Sequence, residues 1–363
     1  MKVIIAGGGT GGHIFPAVAI AHALQRQRPD TELLFVGAAG KMEMEKIPQE
    51  GFRIVGLDIA GFNRSNLWKN LSLPFKLLKS RRQARAVIRS FQPDVVVGVG
   101  GFASFPVLYA AQHNGIPTLI QEQNSFAGKS NKILGKRADA ICVAYEGMER
   151  FFPAGKIILT GNPVRARIAE ASITQREGRE AFGLKEGKKT LLVVGGSLGA
   201  RSINQAVAAA LPEISRLGLQ LIWQTGTPFY KEAVAAVQPY KGSFLVFDFL
   251  KNMEYAYAAA DMVISRAGAL ASAELCLVGK PVIFVPYPFA AEDHQTSNAM
   301  ALVSHNAAMM VKDNEAGTAL IQKLTVLAAD EHMQEIMSEE IRKMAFPHAD
   351  DHIAQKVIEI AKI

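Results

Sequence analysis

His13 is where the sequence first shows chemistry. It follows Gly7-Gly8-Gly9-Thr10-Gly11-Gly12, so an imidazole stands beside backbone that is almost bare of side chains. An unperturbed imidazole titrates at about pH 6.5 and can take up or release a proton near neutrality. Glycines without Cβ atoms let a phosphate or sugar come close to main-chain N–H groups. Thr10 is the other functional side chain on the turn. The combination points to proton transfer beside an anionic or polyhydroxy ligand.

A second set lies far along the chain. Ser265-Arg266 opens a polar turn that runs through Ala269 and Leu270 to Glu274. A helix N-terminus together with an arginine suits a diphosphate, through dipole and charge. Glu274 can accept hydrogen bonds from two ribose hydroxyls; its alternative role is N-terminal charge stabilisation of its own helix. Gln295 and Asn298 are three apart and share a helix face. Amides both donate and accept, as sugar hydroxyls require.

These residues need strands and helices to hold them. Residues 3–6 are a short apolar run suited to a buried parallel strand. Pro16 fits the first turn of a helix, predicted over 17–27. Further strands are expected at 33–36, 52–57, 95–99, 117–120 and 138–144, with a helix ending at Phe91 between the second and third of these. Gln121-Glu122-Gln123-Asn124 follows one strand at its carboxyl end, where open α/β sheets bind ligands. After a passage at 156–165 the plan repeats: a strand at 190–194 enters Gly195-Gly196-Ser197-Leu198-Gly199-Ala200-Arg201. Strands at 219–223, 244–247, 262–264 and 281–285 follow, and the last helix, 350–362, has Ile353, Val357 and Ile360 at helical spacing. Alternating strands and helices predict an α/β chain of two Rossmann-like, doubly wound parallel-sheet domains facing across a cleft. The expected bounds are 1–162 and 163–345, with 346–363 a helix that crosses back to the first domain.

Composition narrows the class. The 363 residues are 49% hydrophobic and 20% charged, an ordinary globular balance. No apolar run reaches the roughly 18 residues of a spanning helix, and the opening residues lack a signal-peptide layout. Cys142 and Cys276 read as core residues. The net charge of +7 is local. Between Asp58 and Asp94 no acidic residue occurs, while Arg64, Lys69, Lys76, Lys79, Arg81, Arg82, Arg85 and Arg89 do. Without these eight, the 40 basic residues would fall just below the 33 acidic ones. Leu67, Trp68 and Phe75 are interleaved with them, so the segment reads as a contact for an anionic membrane surface through Leu67, Trp68, Phe75, Lys76, Lys79 and Arg82. No nucleic-acid module accompanies it.

Several chemistries are excluded or weakened. Gly7, Gly9 and Gly12 satisfy G-x-G-x-x-G, but the second strand runs into Gly37-Ala38-Ala39-Gly40 without the carboxylate a nicotinamide site needs at its tip. Gly128-Lys129-Ser130 lacks the earlier glycine of a P-loop, since Gln123 stands there. No Asp-x-Asp pair occurs to chelate a metal diphosphate, and His348 and His352, four apart, make a poor metal site.

Four motifs, taken together and in order, resemble the MurG family of bacterial UDP-N-acetylglucosamine transferases over essentially the whole chain. They are Gly8–His13, Gly100-Gly101-Phe102 with Gln121–Asn124, Gly195–Arg201 and Arg266–Glu274. The resemblance implies a GT-B fold and inverting transfer of N-acetylglucosamine from UDP-GlcNAc to the muramyl 4-hydroxyl of lipid I, a polyprenyl diphosphate. It implies a peripheral enzyme at the cytoplasmic face of the bacterial inner membrane, with no cofactor and no obligatory metal. His13 is the candidate base. By the same resemblance Ser197 touches the diphosphate with Arg266 near it. Leu250, Ala269 and Leu270 line the nucleoside pocket, Glu274 holds the ribose, and Gln295 and Asn298 hold the sugar. Thr10, Gly11, Gly12, Asn124 and Arg165 complete the donor site. Three positions depart from the family pattern: Leu250 for Ile, His294 for Gln and Phe102 for Tyr. A UDP-sugar epimerase, which would convert donor without acceptor, and a non-catalytic nucleotide-sugar module remain as alternatives.

Overall fold

The computed structural model describes residues 1–59 and 73–361, side chains at 73–75 and 77 excepted. It divides into two compact units, one of Met1–Arg165 with Pro347–Ile363 and one of Ala166–Phe346.

Unit 1 alternates strand and helix. Its elements are β1 (Lys2–Ala6), α1 (Gly11–Gln27), β2 (Glu32–Ala38), α2 (Glu43–Gln49), β3 (Ile54–Leu57), α3 (Leu73–Phe91), β4 (Val95–Gly98), α4 (Ser104–His113), β5 (Thr118–Glu122), α5 (Lys129–Gly135), β6 (Ala140–Val143) and β7 (Ile157–Leu159). The sheet order is β3-β2-β1-β4-β5-β6-β7 with every pairing parallel. Val3 pairs with Leu33 on one side and Val95 on the other, so winding reverses between β1 and β4. Both faces of β1 are buried: Val3 and Ile5 join a core with α1, and Ile4 and Ala6 join another with Val107 and Leu108 of α4. That is the two-residue period of a strand covered on both sides.

Two boundaries differ from the sequence expectation. Helix α1 begins at Gly11, so Pro16 sits inside it and cannot donate to the Gly12 carbonyl. Hydrogen bonds from His13 and Ile14 N–H to the Thr10 carbonyl carry the helix back through the glycines. Residues 157–159, read as part of a passage, form the edge strand β7 because Ile157 and Ile158 find open partners on β6.

Unit 2 contains α6 (Ala166–Ala169), α7 (Gln175–Ala181), β8 (Thr190–Val194), α8 (Arg201–Arg216), β9 (Gln220–Gln224), α9 (Thr227–Ala236), β10 (Phe244–Phe247), α10 (Met253–Ala259), β11 (Met262–Ser265), α11 (Ala269–Val278), β12 (Val282–Phe284), α12 (His294–Val303), β13 (Met309–Met310), α13 (Ala316–Ala329) and α14 (Glu331–Lys343). Its parallel sheet runs β10-β9-β8-β11-β12-β13, with the reversal between β8 and β11. Leu191, Val193 and Trp223 meet Ile203 of α8 and Leu320 of α13 in one core. The Trp223 indole N–H donates to the Asn204 side chain (3.0 Å), which satisfies a polar group that burial would otherwise strand.

The last helix, α15 (Ala349–Ile360), belongs to unit 1. Ile353, Ala354 and Val357 complete the core that holds Val3, Ile20 and Leu24. Burying an Ile or Val side chain contributes about 1.5–3 kcal/mol. Arg26 of α1 bonds Asp350 (2.8 Å) and Asp351 (3.0 Å), fixing the register of the two helices.

Both cysteines are buried, and burial pushes each thiol up to about 12. Since the thiolate is the reactive form, neither should react with Ellman's reagent at pH 8 in the folded chain, while both should react after guanidinium unfolding. Fast native labelling of either would contradict this packing.

Candidate active site

In unit 1 the functional residues gather at the carboxyl end of β1, where two glycine turns are packed together. A Cβ on Gly101 would lie 2.2 Å from the Gly8 carbonyl oxygen, and one on Gly7 would meet Val99 at 2.3 Å. A Cβ on Gly100 would come within 2.9 Å of the His13 ring. The glycines are therefore there for close packing of backbone as much as for any ligand.

His13 is oriented by this packing. Its Nδ1 lies 3.1 Å from the Gly8 carbonyl and 3.3 Å from the Thr10 hydroxyl. A carbonyl can only accept, so the contact assigns the proton to Nδ1 and the ring lone pair to Nε2. Gly11 and Gly12 form the first turn of α1 beside it, and the Arg165 guanidinium lies over the half-exposed Phe15 ring at 5.9 Å.

The polar run after β5 divides. Gln121, Glu122 and Gln123 are buried, and only Asn124 is partly open. Gln121 donates to the Asn162 side chain (3.0 Å) and also bonds Gln123, Asn162 donates to the Gln123 carbonyl (2.9 Å), and Gln123 donates to the Val99 carbonyl (2.7 Å). Sequence reasoning placed all four at a ligand. In the structure Gln121 and Gln123 tie strand ends together, because buried amides must find partners. Glu122 accepts from Asn131 (2.8 Å), Gly128 N–H (3.1 Å) and Asn124 N–H (3.1 Å), and so shapes the loop that carries Asn124. Phe102, the residue after the second glycine pair, is exposed.

Glu43 went unread in the sequence. No carboxylate stands at the tip of β2, yet Glu43 at the start of α2 folds back beneath the glycine turn with 1% of its surface exposed. It accepts from Gly9 N–H (2.8 Å) and Ala38 N–H (2.9 Å). The signal that could have found it is an acidic residue in the first turn of a helix beside a turn rich in unpaired N–H groups.

In unit 2 the residues gather at the carboxyl ends of β8, β11 and β12. Ser197 is exposed on a loop locked by interleaved glycines: a Cβ on Gly199 would lie 1.7 Å from the Thr225 carbonyl, and one on Gly226 2.1 Å from the Leu198 carbonyl. Gln224 then joins this loop to Leu250, donating to the Gly196 carbonyl (3.0 Å) and accepting from Leu250 N–H (2.9 Å). It too went unread. Arg266 has its guanidinium committed to Asp313 (2.5 Å), the Ser202 hydroxyl (3.1 Å) and the carbonyls of Val285 and Pro286. Its charge is balanced, so it ties three loops together instead of standing as a bare cation. Helix α11 starts after Gly268, which has no side chain to cap it, and its first turn holds Ala269, buried, and Leu270, partly exposed. Glu274 is 5% exposed and accepts from the Tyr257 hydroxyl (3.1 Å). Gln295 accepts from Tyr287 N–H (2.9 Å), and the buried Asn298 donates to the Ala267 carbonyl (3.2 Å). The His294 ring contacts the Ala291 carbonyl (2.7 Å).

Of the basic segment, Leu67 and Trp68 lie outside the described residues, as does the Phe75 side chain. Lys76 is half-buried, Arg82 is exposed, and Lys79 pairs with Asp58 at 2.7 Å. Among the described residues no three His, Cys, Asp or Glu side chains gather as a metal site would require.

Residues 3–143 match the model of the glycosyltransferase family 28 N-terminal domain, and residues 190–353 that of its C-terminal domain. The chain is a MurG-family member of glycosyltransferase family 28. It is 52% identical over 365 residues, all of this chain and 98% of the relative, to the UDP-N-acetylglucosamine–N-acetylmuramyl-(pentapeptide) pyrophosphoryl-undecaprenol N-acetylglucosamine transferase of Bacteroides thetaiotaomicron. The transferase of the same name from Phocaeicola vulgatus is 53% identical over 363 residues, 99% of this chain and 96% of the relative. The crystal structure of Acinetobacter baumannii MurG is similar at a TM-score of 0.81 and 30% identity, covering 99% of both chains. The fold of this family member is thus the GT-B class of two parallel-sheet α/β domains.

Burial pushes the Glu122 carboxyl above its ordinary 4.5, against the opposing pull of its hydrogen bonds. A raised acid contributes stability that is present below the unfolded value and lost as pH rises through the folded one. Wild-type stability relative to Glu122→Gln, from urea midpoints across a pH series, should therefore decline as pH rises from 4.5. A flat or rising difference would contradict the assignment.

Proposed function

We propose that the chain transfers N-acetylglucosamine from UDP-N-acetylglucosamine to the muramyl 4-hydroxyl of undecaprenyl-diphospho-N-acetylmuramoyl-pentapeptide (lipid I), with inversion, giving lipid II. The observation that carries this reading is full-length identity of about one half to transferases named for that reaction, on a chain whose one glycine-flanked imidazole has its lone pair on Nε2.

Inversion needs direct attack of the acceptor oxygen on the anomeric carbon. The new carbon–oxygen bond forms as the bond to the UDP oxygen breaks, and the hydroxyl proton passes to His13 Nε2. The leaving diphosphate gains charge, which the N-terminal end of α11 and the Ser197 loop suit without a metal. Arg266 holds that surface in place through Asp313. Glu274 takes the ribose hydroxyls, Leu250, Ala269 and Leu270 the nucleoside, and Gln295 and Asn298 the sugar. Thr10, Gly11, Gly12, Asn124 and Arg165 supply the remaining donor contacts.

General-base catalysis is worth about 10²–10⁴-fold. With UDP-N-acetylglucosamine and a lipid I analogue, UDP release and disaccharide-lipid formation should be coupled and unaffected by EDTA, and His13→Ala should lose roughly that factor in kcat with donor KM little changed. UDP-sugar isomerisation without acceptor would support an epimerase instead.

A polyprenyl acceptor requires work at a membrane surface. No helix of the described residues is long and apolar enough to cross one. We assign the contact to Leu67, Trp68, Phe75, Lys76, Lys79 and Arg82, and the location to the cytoplasmic face of the cell membrane as a peripheral protein. An exposed pair such as Lys79–Asp58 is worth little, whereas a cation near anionic lipid gains about 1 kcal/mol. Trp68→Ser with Phe75→Ser should reduce cosedimentation with phosphatidylglycerol vesicles; unchanged sedimentation would remove the assignment.

A further inference from the structure

The Gly8–Gly9 peptide group is hydrogen-bonded on both sides. Its carbonyl accepts from His13 Nδ1–H (3.1 Å), and its N–H donates to the Glu43 carboxylate (2.8 Å). Among the described residues no peptide bond is cis, so carbonyl and N–H point in opposite directions and the two side chains face each other across one amide. The second Glu43 oxygen accepts from Ala38 N–H (2.9 Å), which pins the carboxylate in place. The site is built for it. A Cβ on Gly8 or Gly37 would strike Glu43 at 2.4 and 2.5 Å, and the Gly100–Gly101 turn closes the opposite side.

We propose that Glu43 is a positioning residue for the His13 base, acting through the Gly8–Gly9 amide as a carboxylate acts directly on histidine in a hydrolase triad. An N–H donated to a carboxylate polarises its amide and makes the carbonyl a stronger acceptor. That strengthened carbonyl fixes the Nδ1–H tautomer, orients the ring and stabilises the imidazolium formed when Nε2 takes the acceptor proton. The inserted peptide lets the charge stay buried and away from the diphosphate of the donor. Other charged groups on elements around the turn are placed differently: Glu45 and Lys46 lie along α2, Arg165 lies over Phe15, and Asp350 and Asp351 of α15 pair with Arg26 at the far end of α1.

This inference rests on His13 being the base, and the experiment separates the two. Glu43→Gln keeps the shape but turns an amide NH₂ toward one of two N–H donors. In the membrane-associated full chain it should lower kcat roughly 10- to 100-fold, the scale on which orienting partners act elsewhere, with donor KM little changed. The acid limb of the kcat profile should move to lower pH, because an imidazolium with weaker support loses its proton sooner. In a His13→Ala background the same substitution should change nothing further. Equal loss with and without His13, or an unmoved pH limb, would overturn the relay and leave a structural role. Full turnover in His13→Ala alone would overturn the base itself. If Glu43→Gln fails to fold, Glu43→Asp, which keeps the charge but draws it back by one methylene, carries the same pH comparison; an unmoved limb there also overturns the relay. Carbon-13 NMR titration of the His13 ring in either variant reads the shift without turnover, and an unchanged midpoint counts against the proposal.

Discussion

A parallel strand buried on both faces can offer chemistry only at its end. Side chains along β1, β4, β8 and β11 are consumed by the cores above and below them. What remains for function is the carboxyl edge of each sheet, where the chain must turn and where backbone N–H groups outnumber their partners. Each unit meets that constraint with glycine turns at its point of reversal, and each uses them to bring two loops into contact. The candidate site surface of each unit is thus the edge of a hydrophobic slab.

Such an edge has to be stiffened by polar groups, and here they are mostly amides and balanced ion pairs. Gln121, Gln123 and Asn162 link strand ends in unit 1, and Gln224 does so in unit 2. The Ser202–Arg266–Asp313 cluster holds three loops with no net charge imbalance from the pair. A buried amide left unpaired costs about 1–3 kcal/mol, so these networks favour one loop conformation strongly. Rigidity of this kind suits a site that must stabilise charge in a transition state.

The alternation of strand and helix, the glycine turns and the placement of His13 were legible in the sequence because they depend on local pattern. Apolar runs of four or five residues ending in glycine have few other readings. Roles that depend on partners distant in sequence were not legible. Gln121, Glu122 and Gln123 looked like ligand contacts because polar residues at a strand end usually are, and only their burial against Asn162 and Asn131 reveals them as structural. Arg266 read as a free cation until Asp313, 47 residues on, came into view. Glu43 was hidden by the expectation that a carboxylate for this turn would sit at the strand tip, when a helix start can deliver one from below.

The return of α15 to unit 1 has a consequence for the order in which the protein is made. Ile353, Ala354 and Val357 seal one face of the first sheet, yet every residue of unit 2 leaves the ribosome before they do. Domains generally form as they emerge, first part first. Here the second unit has all its sequence before the first does, so the part of the first sheet's apolar face that α1 does not cover waits until translation reaches α15.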